Sequence, residues 1–240
     1  MADIRRPSLA EIGTLAVAMA AASVSPNAFV YAATGAMTLH WLGEIAILPA
    51  AVLWVGLFAF SRAQGWRDLG NAFTLALIGG ALATVAMEVV RITGFRVFDA
   101  MPGSIPMLLG VLLTDRFMQG PDLMSDTLGT LDHFMNGIGF AFLYVALFGR
   151  RHWFAGVAYG LVIATVFMLS PVMNITGAGL FGQAFAPVKF PLTVYLAHIA
   201  YGATLGVTVQ RARRSPERSP VLAAVEAIVG RSANTGWRHQ

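Results

Sequence analysis

Residues 70–91 read GNAFTLALIGGALATVAMEVVR, and this stretch decides the fold. Its only charges, Glu88 and Arg91, stand at one end. Crossing the hydrocarbon core of a bilayer takes about 20 mostly apolar residues in a helix. This run meets that need, and it is not alone. Residues 40–60, HWLGEIAILPAAVLWVGLFAF, do so as well, with Glu44 as the one acid. Working outward, the same reading gives spans over 9–33, 126–149, 153–173 and 189–210. The first is interrupted by Ser23, Ser25, Pro26 and Asn27.

The expected fold class is therefore all-α: a polytopic membrane helical bundle of about six transmembrane helices. A seventh apolar stretch, Gly103–Phe117, follows Met101-Pro102-Gly103 and carries Pro106. It is too short to span comfortably, so a re-entrant or interfacial helix is expected there. Met1–Ala22 has Arg5 and Arg6 before an apolar run, as a secretory signal does. Glu11 opens that run, which favours a retained first helix.

Composition agrees. Of 240 residues, 57% are hydrophobic and 12% charged, and the mean hydropathy is +0.67. Soluble chains carry roughly 25% charged residues. A water-soluble enzyme, a disordered tail and a disulfide scaffold are excluded. With no cysteine, thiolate metal sites and redox dithiols are excluded too. The pI near 10 does not signal nucleic acid. From Arg211 onward there are six Arg and two Glu, a net of +4, equal to the whole chain's +4, so residues 1–210 sum to zero. The domain reading is a transmembrane domain over 1–210 and a basic cytoplasmic tail over 211–240. Within the tail, Val221–Val229 is expected to form a short amphipathic helix on the membrane surface.

Positive residues on short loops face the cytoplasm. Six spans with an inside N-terminus put Arg5, Arg6, Arg62, Arg67, Arg150, Arg151, Arg211, Arg213 and Arg214 inside. Arg91, Arg96, Arg116 and Lys189 then fall outside. The expected location is a bacterial inner membrane, with both termini cytoplasmic.

That topology gathers polar residues at the outer side. Glu44 and Glu88 lie near the outer ends of their spans, and Asp99, Asp115, Asp122, Asp126 and Asp132 belong to the same side. His40 and His133 are near outer span ends, and His198 lies about 14 Å deeper at 1.5 Å per residue. An ionisable group at that depth faces the bundle interior by default. His133 and Asn136 share a helical face at i, i+3, with Gly137 beside them. His198, Tyr201 and Gly202 repeat the arrangement on the last span.

The expectation is an outward-opening His/carboxylate pocket that binds a transition metal or haem, with redox activity following from it. His133, His198, Asn136 and Tyr201 would contact the cofactor. His133, His198, His40, Glu44, Glu88 and Asp115 are the candidate metal ligands, since imidazole suits several transition metals and carboxylates add hard oxygens. His40 and Glu44 stand at i, i+4, a spacing at which one helix can chelate an ion. Each group also has a plain structural role open to it. His198 can be a hydrogen-bonded helix contact, His40 beside Trp41 an interface anchor, and Glu88 with Arg91 a local ion pair. Asp122 and Asp126 suit a loop and a helix N-cap. Gly156-x-x-x-Gly160 and Gly202-x-x-x-Gly206 suit close helix packing. Two other function classes stay open: a small proton-coupled transporter or ion-conducting protein, and an accessory subunit of a membrane complex. The partners implied are the lipid bilayer and another membrane protein or a second copy of the chain, with no nucleic acid.

No phosphate-binding loop, dinucleotide fingerprint, zincin helix or Gly-x-Ser-x-Gly elbow occurs. The late His198-x-x-Tyr201-Gly202-x-x-x-Gly206 run resembles intramembrane rhomboid proteases, but no Gly-x-Ser-Gly precedes it. Without a positioned nucleophile, serine proteolysis is excluded. Residues 101–206 are also similar to a loose group of uncharacterised bacterial multi-pass membrane proteins. The resemblance rests on Pro106-Met107-Leu108-Leu109-Gly110, His133-Phe134-Met135-Asn136-Gly137 with Tyr144, Pro171, and His198-Ile199-Ala200-Tyr201-Gly202. It implies a membrane fold and carries no activity with it.

Overall fold

The structure, a computed structural model, describes residues 6–236, and side chains as far as residue 230. Arg5 and His239 lie outside the described residues. Among those described, helices are the regular elements and no strand occurs. Helix α1 spans Leu9–Ala22 and α2 Val24–Ala33. Ser8 caps α1 by accepting from the Glu11 N–H at 3.1 Å. The two helices form one crossing, Leu9–Ala33, jointed where Ser23 returns its hydroxyl to the Met19 carbonyl.

The second crossing, Leu39–Ala63, comprises α3 (Leu39–Leu42), a π-helical segment (Gly43–Ile47) and α4 (Leu48–Ala63). Pro49 lies in the first turn of α4. Proline has no N–H to return to the preceding turn, so a widened segment before it satisfies the backbone locally. Helix α5 runs Arg67–Phe98. At 32 residues it is about 48 Å long, well beyond a hydrocarbon core of about 30 Å. Short α6 (Ile105–Leu113) follows, then α7 (Leu123–Phe148), α8 (Trp153–Leu169), α9 (Val172–Ile175), α10 (Lys189–Arg211) and α11 (Pro220–Gly236).

Among the described residues, five helical segments are long and apolar enough to cross a membrane: Leu9–Ala33, Leu39–Ala63, α5, α7 and α10. Helix α8, at 17 residues and about 26 Å, sits at the short limit for a span. It nevertheless runs beside α10 for much of its length. Helix α6, nine residues long, does not cross. The molecule is a membrane helical bundle, and its outer faces carry exposed Val, Leu and Phe side chains, such as Val52 and Val55 on α4 and Val85 and Val89 on α5.

The packing order is α8 on α10, α10 on α5, α5 on α7 and α7 on α6, with α1 against α4 and α7. Glycines set the closest seams. A β-carbon on Gly160 would strike the His198 carbonyl, and one on Gly156 the Gly202 carbonyl. The two small-residue faces therefore meet, as glycine spacing in membrane helices favours. The α6–α7 seam is as tight, with Gly110 against the Ser125 backbone and Gly129 against that of Pro106. An aromatic core of Trp54, Phe58, Phe73 and Phe142 joins α4, α5 and α7, with Phe73 and Phe142 ring centres 4.6 Å apart.

The start of α1, the α4–α5 turn, the α7–α8 turn and α11 share one end of the bundle, here the tail end. The tail is docked there. Arg150 N donates to the Pro216 carbonyl (2.7 Å) and Ser219 Oγ to that of Ala146 (2.8 Å). The far end holds the α2–α3 turn, α6 and the α9 region.

Candidate functional site

Helices α7 and α8 are consecutive in the chain, yet their backbones lie apart, with long side chains reaching across the gap. The space between them is a cavity of 390 Å³, backed by α10 and α5 and bounded toward the far end by α2 and α6. Its walls are mostly apolar, including Phe29, Phe140, Phe167 and Ile163. Toward the tail end Tyr159 closes it. The Tyr159 hydroxyl donates to the Phe140 carbonyl at 3.0 Å, and its ring packs on Tyr144 and Phe148. Val162 and Val166 line the cavity while being 60% and 61% exposed, so the mouth lies on the flank of the bundle between α7 and α8.

Polar groups enter this chamber at few points. His133, Asn136, His198 and Tyr201 all line it, which are the four residues singled out for cofactor contact. His198 Nδ1 lies 2.8 Å from the Val194 carbonyl. A carbonyl only accepts, so Nδ1 carries the proton, and Nε2 of the neutral ring keeps its lone pair. The ring lies against Phe167. His133 Nε2 lies 2.9 Å from Glu88 Oε1. Glu88 is also held by Arg91, through Nε to Oε1 at 2.6 Å and through Nη2 to Oε2. A carboxylate paired with guanidinium accepts, so His133 donates from Nε2 and its Nδ1 is left unengaged by this bond. Tyr201 bridges the two faces, its hydroxyl donating to the Gly137 carbonyl at 2.5 Å.

The four other predicted ligands stand elsewhere. Glu88 is nearly buried but lies behind His133, occupied by Arg91, and does not line the cavity. His40 is at the far end, where its Nδ1 donates to the Leu113 carbonyl at 2.7 Å and so ties α3 to α6. Glu44 is exposed on the π-helical segment, 3.8 Å from His40 Nε2. Asp115 sits in the turn after α6 with a left-handed backbone (φ 53°) and is outside the cavity. Among the described residues, no three His, Asp or Glu side chains form a group that could hold a metal ion. The polar pocket opening outward is thus replaced by an apolar chamber with a sideways mouth. The acids at the far end are dispersed because each is taken up by a local partner or by solvent.

Two residues outside the expected site, Arg91 and Asp132, also matter. Arg91 is 6% exposed and lines the cavity, with Nη1 buried and without a partner. Its Nη2 also reaches Ser104 Oγ at 3.4 Å. Asp132, beside His133 on α7, is buried and accepts from Ser25 Oγ at 2.6 Å and Asn136 Nδ2 at 3.3 Å. Asn136 Oδ1 is buried without a partner. The signal for Asp132 was present as its i, i+4 spacing to Asn136 within an apolar helix.

No curated protein and no solved structure matches the chain. A family model does match, over residues 70–219, which take in α5 through the start of the tail and hence most of the cavity wall. The chain therefore belongs to a family described as "Family of unknown function (DUF6789)".

Proposed function

We propose that this chain is an intramembrane binding protein that holds an apolar small molecule in the cavity between α7 and α8. His133 and His198 are its principal polar contacts, with Asn136 and Tyr201 beside them. The observation that carries this reading is a 390 Å³ apolar chamber lined by two histidines, each of which ties one ring nitrogen to the protein, His133 to Glu88 and His198 to the Val194 carbonyl. Binding sites for small molecules are mostly apolar concavities with a few placed polar groups. In this reading the chain sits in a bacterial inner membrane with both termini and the basic tail in the cytoplasm, so the far end faces outward.

A transition metal or haem in the same chamber is the second reading, and one observation favours it. Metal-ligating histidines commonly donate their other N–H to a carboxylate or backbone carbonyl. His133 and His198 each do one of these. Two imidazoles suit haem better than a bare ion, because the macrocycle supplies its own nitrogens and its faces suit apolar walls.

The test is extraction of the protein purified in mild detergent, with mass spectrometry of the organic phase, metal analysis and an absorption spectrum. A stoichiometric organic ligand, reduced in a His133→Ala/His198→Ala variant that stays folded, is the expected result. A Soret band or stoichiometric metal lost in that variant would favour the second reading. Equal ligand content in both proteins would overturn the assignment of the two histidines.

A further inference from the structure

Helix α11 has a buried side and an exposed side, and both are largely apolar. Ala224 and Ala227 are buried, and Ala224 joins the core that holds Leu15 of α1 and Leu69 of α5. On the opposite side Leu222, Val225 and Val229 are exposed, at i, i+3 and i+7 along one stripe. Glu226 stands beside them, and Arg218 neutralises it at 3.1 Å. A helix whose outer side meets only water carries polar residues there.

The contacts of α11 fix its level. It follows Ser219, whose hydroxyl donates to the Ala146 carbonyl, two residues before the end of α7. Further along it passes the segment ahead of α1, where a β-carbon on Gly230 would lie 3.4 Å from Arg6 Nη1. Between these points Ala224 shares its core with Leu15, which is inside the first crossing. The helix therefore lies against the ends of the crossings, where a bilayer meets water. The crossings expose apolar side chains at this same end, Leu9 on α1 and Leu147 and Phe148 on α7.

Charge selects what covers the stripe. Helix α10 crosses and ends at Arg211. Arg213 and Arg214 follow at once, both exposed, and residues 211–218 hold four arginines against one acid, Glu217. Arginines clustered directly after a membrane helix are drawn to anionic lipid, within about a Debye length of the surface. A second copy docked through the same face would instead set these arginines against their own kind.

We infer that α11 is an interfacial helix that seats the tail on an anionic bilayer surface. Leu222, Val225 and Val229 enter the head-group region, and Arg213 and Arg214 meet the lipid phosphates. Buried apolar area and attraction to anionic lipid together hold such a helix in the plane of the interface. This surface is separate from the cavity between α7 and α8, and neither depends on the other.

The chain has no cysteine, so one introduced residue gives a unique labelling site. The test uses the full chain with Val225→Cys, and separately Leu222→Cys, each carrying a nitroxide spin label. Both positions are exposed, so the label requires no repacking. The proteins are reconstituted into vesicles of phosphatidylcholine alone or of an equimolar mixture with phosphatidylglycerol. Power saturation then compares collisions with oxygen, which concentrates in lipid, and with a neutral nickel chelate, which stays in water. In the mixture, oxygen should dominate at both labels. The preference should be smaller in phosphatidylcholine, and Arg213→Gln/Arg214→Gln should lower the value in the mixture to that level. Dominance of the nickel chelate in the mixture would overturn the membrane contact. Protection from both reagents would overturn it too, and would identify a second copy or another protein as the cover. An equal oxygen preference in the two compositions, or one untouched by the arginine changes, would overturn the anionic surface as the partner.

Discussion

Glu88 on α5 and His133 on α7 meet at 2.9 Å, and the same carboxylate takes two hydrogen bonds from Arg91 one turn further along α5. The three side chains are 14%, 10% and 8% exposed, so the guanidinium is buried with a single counter-ion. Removing one partner of such a pair leaves the other charge uncompensated, at about 3–5 kcal/mol. Glu88→Gln is therefore expected to lower stability by about that amount in thermal unfolding followed by circular dichroism in detergent. Replacing both, as Glu88→Met/Arg91→Met, should recover most of the loss, because an apolar pair of similar volume is often neutral. A Glu88→Gln protein as stable as the wild type would mean that the guanidinium finds water or lipid head groups instead.

Asp132 presents the same problem without a cation. Ser25 Oγ donates to it at 2.6 Å across α2 and α7, and the Asn136 amide adds a bond at 3.3 Å. Ser25→Ala takes away the shorter of these and should destabilise by about 1–3 kcal/mol. In a double-mutant cycle with Asp132→Ala the two losses should not add, since the second change removes the group that the first left unsatisfied. Additive losses would show that Ser25 acts by packing alone.

How legible was this from the sequence? The bundle was, because long apolar runs admit few folds, and the helical faces of His133, Asn136, His198 and Tyr201 do converge on one cavity. Of the six expected crossings, five coincide with helices long and apolar enough to span; α5 runs past its expected end, and 153–173 is instead a 17-residue helix that stops at Leu169. Glu88 and Arg91 read as the end of a span because charges usually mark one. The helix continues to Phe98, which leaves that pair two to three turns inside. An i, i+3 acid and base can neutralise each other and be buried together, so the charges marked an interior site instead of a boundary. The dispersal of His40, Glu44 and Asp115 was not legible, because it depends on where α6 lies. His40 is held by the Leu113 carbonyl at the end of that helix. Nor could the sequence show that α7 and α8, joined by a short turn, splay apart to leave a chamber.

Asp122 gives a pH dependence whose sign follows from its bonds. It caps α7, accepting from the Ser125 N–H at 2.8 Å, while Ser125 Oγ accepts from the Asp122 N–H at 2.8 Å. That backbone bond, with a smaller contribution from Arg116 at 3.2 Å, holds the carboxyl below the usual carboxylate range. A group whose pKa is lower folded than unfolded adds stability above its unfolded value, and the gain is lost as pH falls through the folded value. Asp122→Asn keeps a capping oxygen without the charge. Wild type should therefore melt slightly higher than Asp122→Asn near neutral pH. The difference should vanish in strong acid, with the change confined to the acid side of about pH 4. A constant difference across that range would mean that the charge takes no part in the cap.

The seam between α8 and α10 is among the tightest in the bundle, and it holds the short apolar helix α8 in place. A β-carbon on Gly160 meets the His198 carbonyl, and one on Gly202 meets that of Gly156. Both obstacles are backbone, so no rotamer change relieves them. Gly160→Leu must push α8 away from α10, at an expected cost of about 1–3 kcal/mol or more from overpacking. The same substitution at Gly56 on α4, which has open space around it, should be tolerated. Helix α8 also carries Val162, Ile163, Val166 and Phe167 of the cavity wall. Gly160→Leu should therefore impair ligand retention even under conditions where the chain stays folded, while Gly56→Leu retains ligand normally. Thermal unfolding and ligand content measured on the two proteins together separate the outcomes. Equal behaviour of both would show that the α8–α10 seam neither limits stability nor shapes the chamber.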